Sequence, residues 1–225
     1  MKSLIMNIKK IFFRSMCSSC HTIETENENR ICRECINKLR YTSSLKNRGN
    51  LFYLWKYEGS IKNIVESHKF NGIRDISEEI AEIIREKLIF LITSYEIDIV
   101  IPVPVSKRRK RERGFNQTED ILTSVGIDFI KAERRKETEH MYKIFDSKER
   151  ANNIKNGFKI SKEYNFENKK ILIFDDIVTT GATFFEIRKE IEKRGTPKQI
   201  IFFTLAASKY SIYKGVDLNG NEQLY

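Results

Sequence analysis

Apolar residues recur along this chain at two spacings, and their alternation lays out strands and helices in turn. Residues 51–58, LFYLWKYE, alternate aromatic and polar positions as a strand does. Helical spacing follows over residues 61–70 and 76–92, and Asp75 with Glu78 has the spacing of a capping box before the second helix. IDIVIPVPV, residues 97–105, reads as a buried strand stopped by Pro102 and Pro104, which have no N–H for a ladder. Residues 114–125 and 148–155 have helical patterns, and 127–132 an extended one. The apolar run ILIF, residues 171–174, reads as a parallel strand buried on both faces. A helix over 182–194 and a last strand over 198–207, KQIIFFTLAA, complete the pattern. Strands alternating with helices predict an α/β fold with a mainly parallel sheet and right-handed crossovers.

Two stretches fall outside this pattern. Residues 41–50, YTSSLKNRGN, are polar and read as a linker or loop. The first sixteen residues, MKSLIMNIKKIFFRSM, are basic and partly apolar, but Asn7, Lys9 and Lys10 interrupt them too early for a signal peptide. They read as an amphipathic helix packed on the next module, with attachment to a membrane surface as the second option. No apolar run approaches the ~18–20 residues of a membrane span.

Composition adds a sign to this picture. The 225 residues are 40% hydrophobic and 32% charged, enough for one sizeable core under a soluble surface. A net charge of +10 points to an anionic partner, nucleic acid or a phosphorylated ligand, or else to a lysine-rich surface with no specific partner.

All four cysteines lie in one window, Cys17 and Cys20 in CSSC and Cys32 and Cys35 in CREC, with eleven residues between the pairs. Two such knuckles can bring four thiolates around one tetrahedral Zn²⁺, a closed and structural site. A redox pair explains one CxxC but not two, and a disulfide needs an oxidising compartment. His21 stands beside Cys20 as a further donor. This module is expected over residues 1–45, and the α/β domain over 46–225.

The densest chemistry is ILIFDDIVTTGAT, residues 171–183. A strand ends in Asp175 and Asp176. Val178, Thr179, Thr180, Gly181, Ala182 and Thr183 then lead into a helix, offering hydroxyls and backbone N–H groups as an anion cradle. Helix capping by Asp explains one acid at one position, not two acids and three hydroxyls. A ligand with both a phosphate and vicinal hydroxyls, such as a ribose 5-phosphate, explains them all. DDIVTTGAT resembles the motif by which type I phosphoribosyltransferases bind 5-phosphoribosyl 1-pyrophosphate (PRPP). The resemblance implies that Asp175 and Asp176 hold the ribose hydroxyls, directly or through Mg²⁺, and that residues 178–183 wrap the 5-phosphate.

A second constellation is PVPVSKRRKRERGFNQ, residues 102–117. Lys107, Arg108, Arg109, Lys110, Arg111 and Arg113 surround a single Glu112, and Gly114 precedes Asn116 and Gln117. So dense a run reads either as a solvated charged loop or as a loop that binds an anion, pyrophosphate or a nucleic-acid backbone. This segment, DDIVTTGAT and the paired CxxC motifs together resemble the ComF family of competence proteins. Tyr57, Gly59, Lys69, Phe70 and Gly72 fit its Y-x-G…K-F-x-G element. Arg150, Asn153 and Phe158 fit its R-x-x-N…F pattern, and FFTLAASKY is similar to its terminal strand. One departure is Met141, beside His140, where T-x-x-Q is usual after Thr138. The region from Arg134 to Gly157 is where type I enzymes place a loop that closes over PRPP, and Arg134, Arg135 and Lys136 are its candidate cations.

The resemblance implies a type I phosphoribosyltransferase-like sheet with an N-terminal four-cysteine zinc finger. It implies a role in DNA uptake during natural transformation, with PRPP and single-stranded DNA as ligands and a DNA-uptake helicase or membrane machinery as partner. The implied location is the cytoplasm, or the inner face of the membrane. The alternative is an active phosphoribosyltransferase of nucleotide metabolism, transferring ribose 5-phosphate from PRPP to a nitrogenous base. A PRPP-sensing RNA-binding regulator is a third reading.

Overall fold

The computed structural model describes residues 16–22, 25, 29–70, 73–134 and 157–214. The expected amphipathic segment before Met16, the helix over 148–155, His140 and Met141 lie outside them, as do all the other residues from 135 to 156, Arg135, Lys136, Arg150 and Asn153 included.

The chain folds in the order α1 (Arg33–Thr42), β1 (Lys46–Arg48), β2 (Leu51–Lys56), α2 (Gly59–Phe70), α3 (Ile76–Ser94) and β3 (Ile99–Pro102). There follow α4 (Lys107–Arg113), α5 (Gln117–Val125), β4 (Ala132–Arg134), β5 (Phe158–Ile160), β6 (Lys170–Val178), α6 (Ala182–Glu192), β7 (Gln199–Ala207) and α7 (Lys209–Lys214). Five strands form one sheet in the order β1-β2-β7-β6-β3, parallel except for β1 at the edge. β4 and β5 form a separate antiparallel pair. The fold is thus the expected α/β class with a mainly parallel sheet.

Period-two alternation decides what covers each face of the sheet. Leu172 and Phe174 of β6, with Ile201, Phe203 and Leu205 of β7, pack with the buried faces of α2, α3 and α5. Ile171 and Ile173, with Ile200 and Phe202, pack against Phe184, Ile187 and Ile191 of α6. Both faces of β6 are therefore dry, which is why ILIF is an unbroken apolar run.

Three sequence expectations are corrected. The polar stretch 41–50 is not a free linker: Tyr41 and Thr42 end α1, and Lys46–Arg48 pairs antiparallel with Leu51–Tyr53. Asp75 does not cap α3: its backbone is already helical and its side chain bonds Arg30 Nε at 3.1 Å instead. The basic run is a helix rather than a loop, because Arg and Lys are good helix formers and the ends carry stop signals. Ser106 Oγ accepts from Arg109 N–H at 3.3 Å, and Gly114 closes α4 at φ 83°, a left-handed conformation that glycine adopts without strain.

The four cysteines sit over the α2–α3 side of the sheet, and their buried side chains are continuous with that core. Glu79 of α3 accepts backbone N–H groups from Arg30 (2.8 Å) and Ile31 (3.3 Å). Asn63 of α2 donates to Ser19 O at 2.8 Å. The knuckle is thereby fastened to the two helices beneath it.

Candidate functional site

β6 carries both acids beyond its apolar run. Asp175 lies in register with Thr204 of β7, at the end of the strand where the sheet opens. A cleft of about 810 Å³ spreads there, lined on one side by Asp175, Asp176, Thr179 and Thr183 and on another by Arg109, Arg113 and Gln117. The carboxyl ends of parallel strands are where open α/β sheets bind ligands. Arg134 at the end of β4 and Lys69 at the end of α2 complete a ring of cations around the acids.

The two acids have different environments. Asp176 is 2% exposed and fully engaged. Its Oδ1 lies 2.8 Å from Lys69 Nζ and accepts Ile177 N–H at 2.7 Å, while its Oδ2 accepts Gln117 Nε2–H at 3.0 Å. Burial alone would raise its pKa, but the Lys69 charge and the hydrogen bonds outweigh burial and hold it below the ordinary aspartate value. Asp175 accepts Asp176 N–H at 2.8 Å and faces the cleft. Burial, and then the charge of Asp176, push its pKa well above the ordinary value. Asp175 thus presents a carboxyl to the cleft, whereas Asp176 is held by Lys69 and Gln117.

That anchor extends into the basic helix. Gln117, held at Asp176 by its amide nitrogen, accepts Arg113 N–H at 3.0 Å through its oxygen. Arg109 and Arg113, four residues apart, share the face of α4 that lines the cleft. Burial, and then Arg109, lower the Arg113 pKa. The same two causes bring Arg134 down to about 10, as Asp175 opposes them. Cations crowded in this way gain most from an anion between them.

Residues 178–183 form a small hollow of about 20 Å³ lined by Val178, Thr179, Thr180, Gly181, Ala182 and Thr183. Gly181 caps α6 at φ 80°. The loop is braced from below: Ser208 Oγ donates to Thr179 O at 3.1 Å and Ser211 Oγ to Val178 O at 3.2 Å. α6 begins at this hollow with the positive end of its dipole, and its first N–H, that of Ala182, donates to Thr180 Oγ1 at 3.5 Å.

The remaining residues singled out in the basic segment have other positions. Lys107 is exposed, and Arg108 and Lys110 pair with Glu112 (3.8 Å) and Glu119 (3.7 Å). Gly114 is the turn after α4. Asn116 is buried: it caps α5 through Thr118 N–H (3.3 Å) and donates to Val103 O (3.4 Å). Gln117 and Asn116 thus divide one dipeptide between the site and its scaffold.

Lys69, Tyr57 and Glu66 line the cleft without having been assigned a role from the sequence. Their signal was present. Lys62, Glu66 and Lys69 recur at helical spacing along one stripe of α2, between apolar Ile61, Ile64 and Val65 that are buried. His68 is buried beneath them, 2.8 Å from Ser77 Oγ and stacked on Phe115 at 5.3 Å, and burial lowers its pKa to about 4.

Away from the cleft, the Sγ atoms of Cys17, Cys20, Cys32 and Cys35 lie within 4.8 Å of one another, an arrangement able to hold a metal ion. Cys17 Sγ accepts N–H groups from Ser19 (3.4 Å) and Cys32 (3.2 Å), as a thiolate ligand would. Burial pushes the Cys35 thiol up to about 12. Among the described residues, no helix is long and apolar enough to cross a membrane.

No family model matches the chain. Relatives of established name do. Competence protein ComFC of Streptococcus pneumoniae is 27% identical over 84% of this chain and 79% of its own length. Competence protein ComFC of Bacillus subtilis is 26% identical over 79% and 72%. Competence protein F of Haemophilus influenzae is 33% identical over 44% and 45%. Among solved structures, adenine phosphoribosyltransferase of Leishmania tarentolae aligns with 77% of this chain and 98% of its own at 14% identity and a TM-score of 0.42. At that score the fold assignment rests on the strand order and register given above. With two ComFC proteins matching over more than two thirds of their length, the chain is a homologue of the ComF competence proteins.

Proposed function

We propose that the chain serves DNA uptake in natural transformation, binding PRPP with Mg²⁺ in the cleft and single-stranded DNA along the basic helix α4. The observation that carries this reading is one cleft holding Asp175, the Thr179–Thr183 turn and the Arg109–Arg113 face together. An acid, a phosphate cradle and a pair of guanidiniums suit, in turn, ribose hydroxyls, a 5-phosphate and a pyrophosphate. The names of the relatives support the biological setting.

Asp175 is the carboxylate that fits Mg²⁺, a hard cation that takes one or two carboxylates plus phosphate oxygens. Asp176 is less suited, because Lys69 and Gln117 occupy its oxygens. The cysteine cluster fits Zn²⁺, four sulfur donors being a closed structural set. The partners in this reading are single-stranded DNA and a helicase or channel of the uptake machinery. The compartment is the cytoplasm, including the inner face of the membrane.

Calorimetry with PRPP and Mg²⁺, with and without a short single-stranded DNA, tests the proposal on wild type and Asp175→Asn. PRPP should bind to wild type and at least tenfold more weakly to the variant, and DNA binding should weaken steeply with salt. Absence of PRPP binding to wild type, or DNA affinity that ignores salt, overturns it.

A further inference from the structure

Ser208 joins β7 to α7 and serves both. Its N–H donates to Val178 O at 2.9 Å, continuing the ladder between β6 and β7, and its Oγ accepts Ser211 N–H at 3.2 Å as a helix cap. Further along α7, Ile212 packs with Phe184, Ile187 and Ile191, and its carbonyl accepts from the Arg48 guanidinium of β1. Ser211 is wholly buried, where a hydroxyl is stable only with hydrogen-bond partners. Its Oγ lies 3.2 Å from Val178 O, 3.0 Å from Ser208 O and 2.9 Å from Ser208 Oγ. The Ser208 hydroxyl in turn donates to Thr179 O at 3.1 Å.

A helix cap needs only an acceptor, so α7 does not account for the proton that Ser208 sends to Thr179 O. Its consequence follows from the peptide plane. In a trans peptide the C=O and the N–H of the next residue point in opposite directions. Carbonyls of Val178 and Thr179 drawn towards α7 therefore turn the N–H groups of Thr179 and Thr180 away from it. Both residues line the hollow at the start of α6. The ladder already orients the first of these peptides, through Ser208 N–H. The second lies beyond the ladder, and the Ser208 hydroxyl holds it. Peptides in turns occur in both senses, as type I and type II turns do. A carbonyl facing the hollow repels an anion, whereas an N–H fixed in advance binds it.

We infer that Ser208 is a positioning residue for phosphate: its hydroxyl fixes the Thr179–Thr180 peptide with the N–H towards the ligand, and Ser211 supports it. Ser208 acts through the backbone, without contact with the ligand. This rests on the reading of residues 178–183 as a 5-phosphate cradle.

Calorimetry with ribose 5-phosphate reads the cradle, and pyrophosphate with Mg²⁺ reads the Arg109–Arg113 end of the same cleft. Ser208→Ala removes both donor and cap, whereas Ser208→Gly removes the donor and keeps most of the capping preference. Both should weaken ribose 5-phosphate about tenfold, the order of one hydrogen bond to a charged group. Pyrophosphate should stay within about twofold of wild type, as expected of an independent contact. Ser208→Thr restores the hydroxyl and should return ribose 5-phosphate to within about threefold of wild type. Ser211→Ala should cost about threefold, because Ser208 N–H still holds Val178 O. Full ribose 5-phosphate affinity in Ser208→Ala overturns the inference, as does an equal loss of both ligands. Wild-type affinity in Ser208→Gly beside a weak Ser208→Ala reduces the residue to a helix cap and overturns it too. If thermal melting shows that Ser208→Ala does not fold, the Gly and Thr variants decide. If wild type binds pyrophosphate but not ribose 5-phosphate, the cradle falls and the inference with it. If it binds neither, the whole reading of the cleft falls.

Discussion

Lys69 Nζ lies 2.8 Å from Asp176 Oδ1, both side chains largely withdrawn from water at 16% and 3% exposure. The pair joins α2 to the end of β6, and through Gln117 and Arg113 it reaches α4. Removing one partner of a buried ion pair leaves the other charge uncompensated, at a cost of about 3–5 kcal/mol. Lys69→Met should destabilise the fold by about 3 kcal/mol, because Gln117 and Ile177 N–H still serve the carboxylate. Asp176 has a lowered pKa in the fold, so its contribution is present above the ordinary value of ~3.9 and fades as pH falls through the folded value. Urea denaturation should therefore show the Lys69→Met deficit at pH 7 and a smaller one as pH falls below the ordinary aspartate value. Adding Asp176→Asn to Lys69→Met should recover most of the loss. A variant as stable as wild type at pH 7 would remove the pair from the list of structural contacts.

Asp175 carries the opposite sign. Its pKa is raised in the fold, so ionisation costs the folded state free energy, and this cost appears as pH climbs past the ordinary aspartate value. Asp175→Asn should stabilise the ligand-free protein at pH 7 by about 1 kcal/mol, in the manner of a strained functional residue relieved. The gain should shrink to nothing below about pH 4, where Asp175 is protonated in both states. The same variant should lose PRPP–Mg²⁺ affinity. Melting temperatures across pH 4–8 check the first half, and a loss of stability at pH 7 contradicts it.

The difference between the two acids marks the limit of what the chain could reveal as a sequence. ILIF announced a strand buried on both faces, and the acids after it announced an edge with chemistry. Nothing local to DDIV says which acid is anchored, because the anchors, Lys69 and Gln117, arrive from 107 and 59 positions away. The basic run was legible as charge but misread as a loop. Its charge density reads as a loop, yet Ser106 and Gly114 supply the caps and Glu112 and Glu119 supply counter-charges. Asp75 misled in the opposite way: its spacing to Glu78 was that of a capping box, but Arg30 claims its carboxylate. Helical spacing in α2 was plain, whereas its polar stripe gained meaning only once the sheet edge lay beneath it.

Zinc removal should be felt in the cleft as well as in the knuckle. The cysteine segment is tied to α2 through Asn63 and to α3 through Glu79, and α2 carries Lys69 and Glu66. Metal analysis of anaerobically purified protein should give about one zinc per chain, the stoichiometry of a four-cysteine site, and Cys32→Ser should abolish it. Because burial raises the Cys32 and Cys35 thiols, metal entry must displace protons, and zinc affinity should rise with pH between 6 and 8. Chelation should lower the melting temperature and weaken PRPP binding together. Full PRPP affinity in the zinc-free protein would separate the two sites.

The basic helix has two faces, and they should separate in a salt titration. Arg109 and Arg113 line the cleft beside Asp175 and Gln117. Lys107, Arg108, Lys110 and Arg111 do not line it, and Lys107, Lys110 and Arg111 are exposed. For single strands the logarithm of affinity falls with the logarithm of salt at a slope of about −0.7 per neutralised phosphate. Changing the four outer cations to Gln should reduce the slope for oligo(dT) by up to about 3 if each meets a phosphate. PRPP binding should stay within about twofold of wild type, because salt-screened charges a helix face away contribute little at short range. Arg109→Gln with Arg113→Gln should do the reverse, costing PRPP affinity at least tenfold, as loss of charge-assisted contacts to a pyrophosphate would. If the outer variant loses PRPP and keeps its salt slope, DNA does not run along this helix. The basic segment would then belong to the cleft alone.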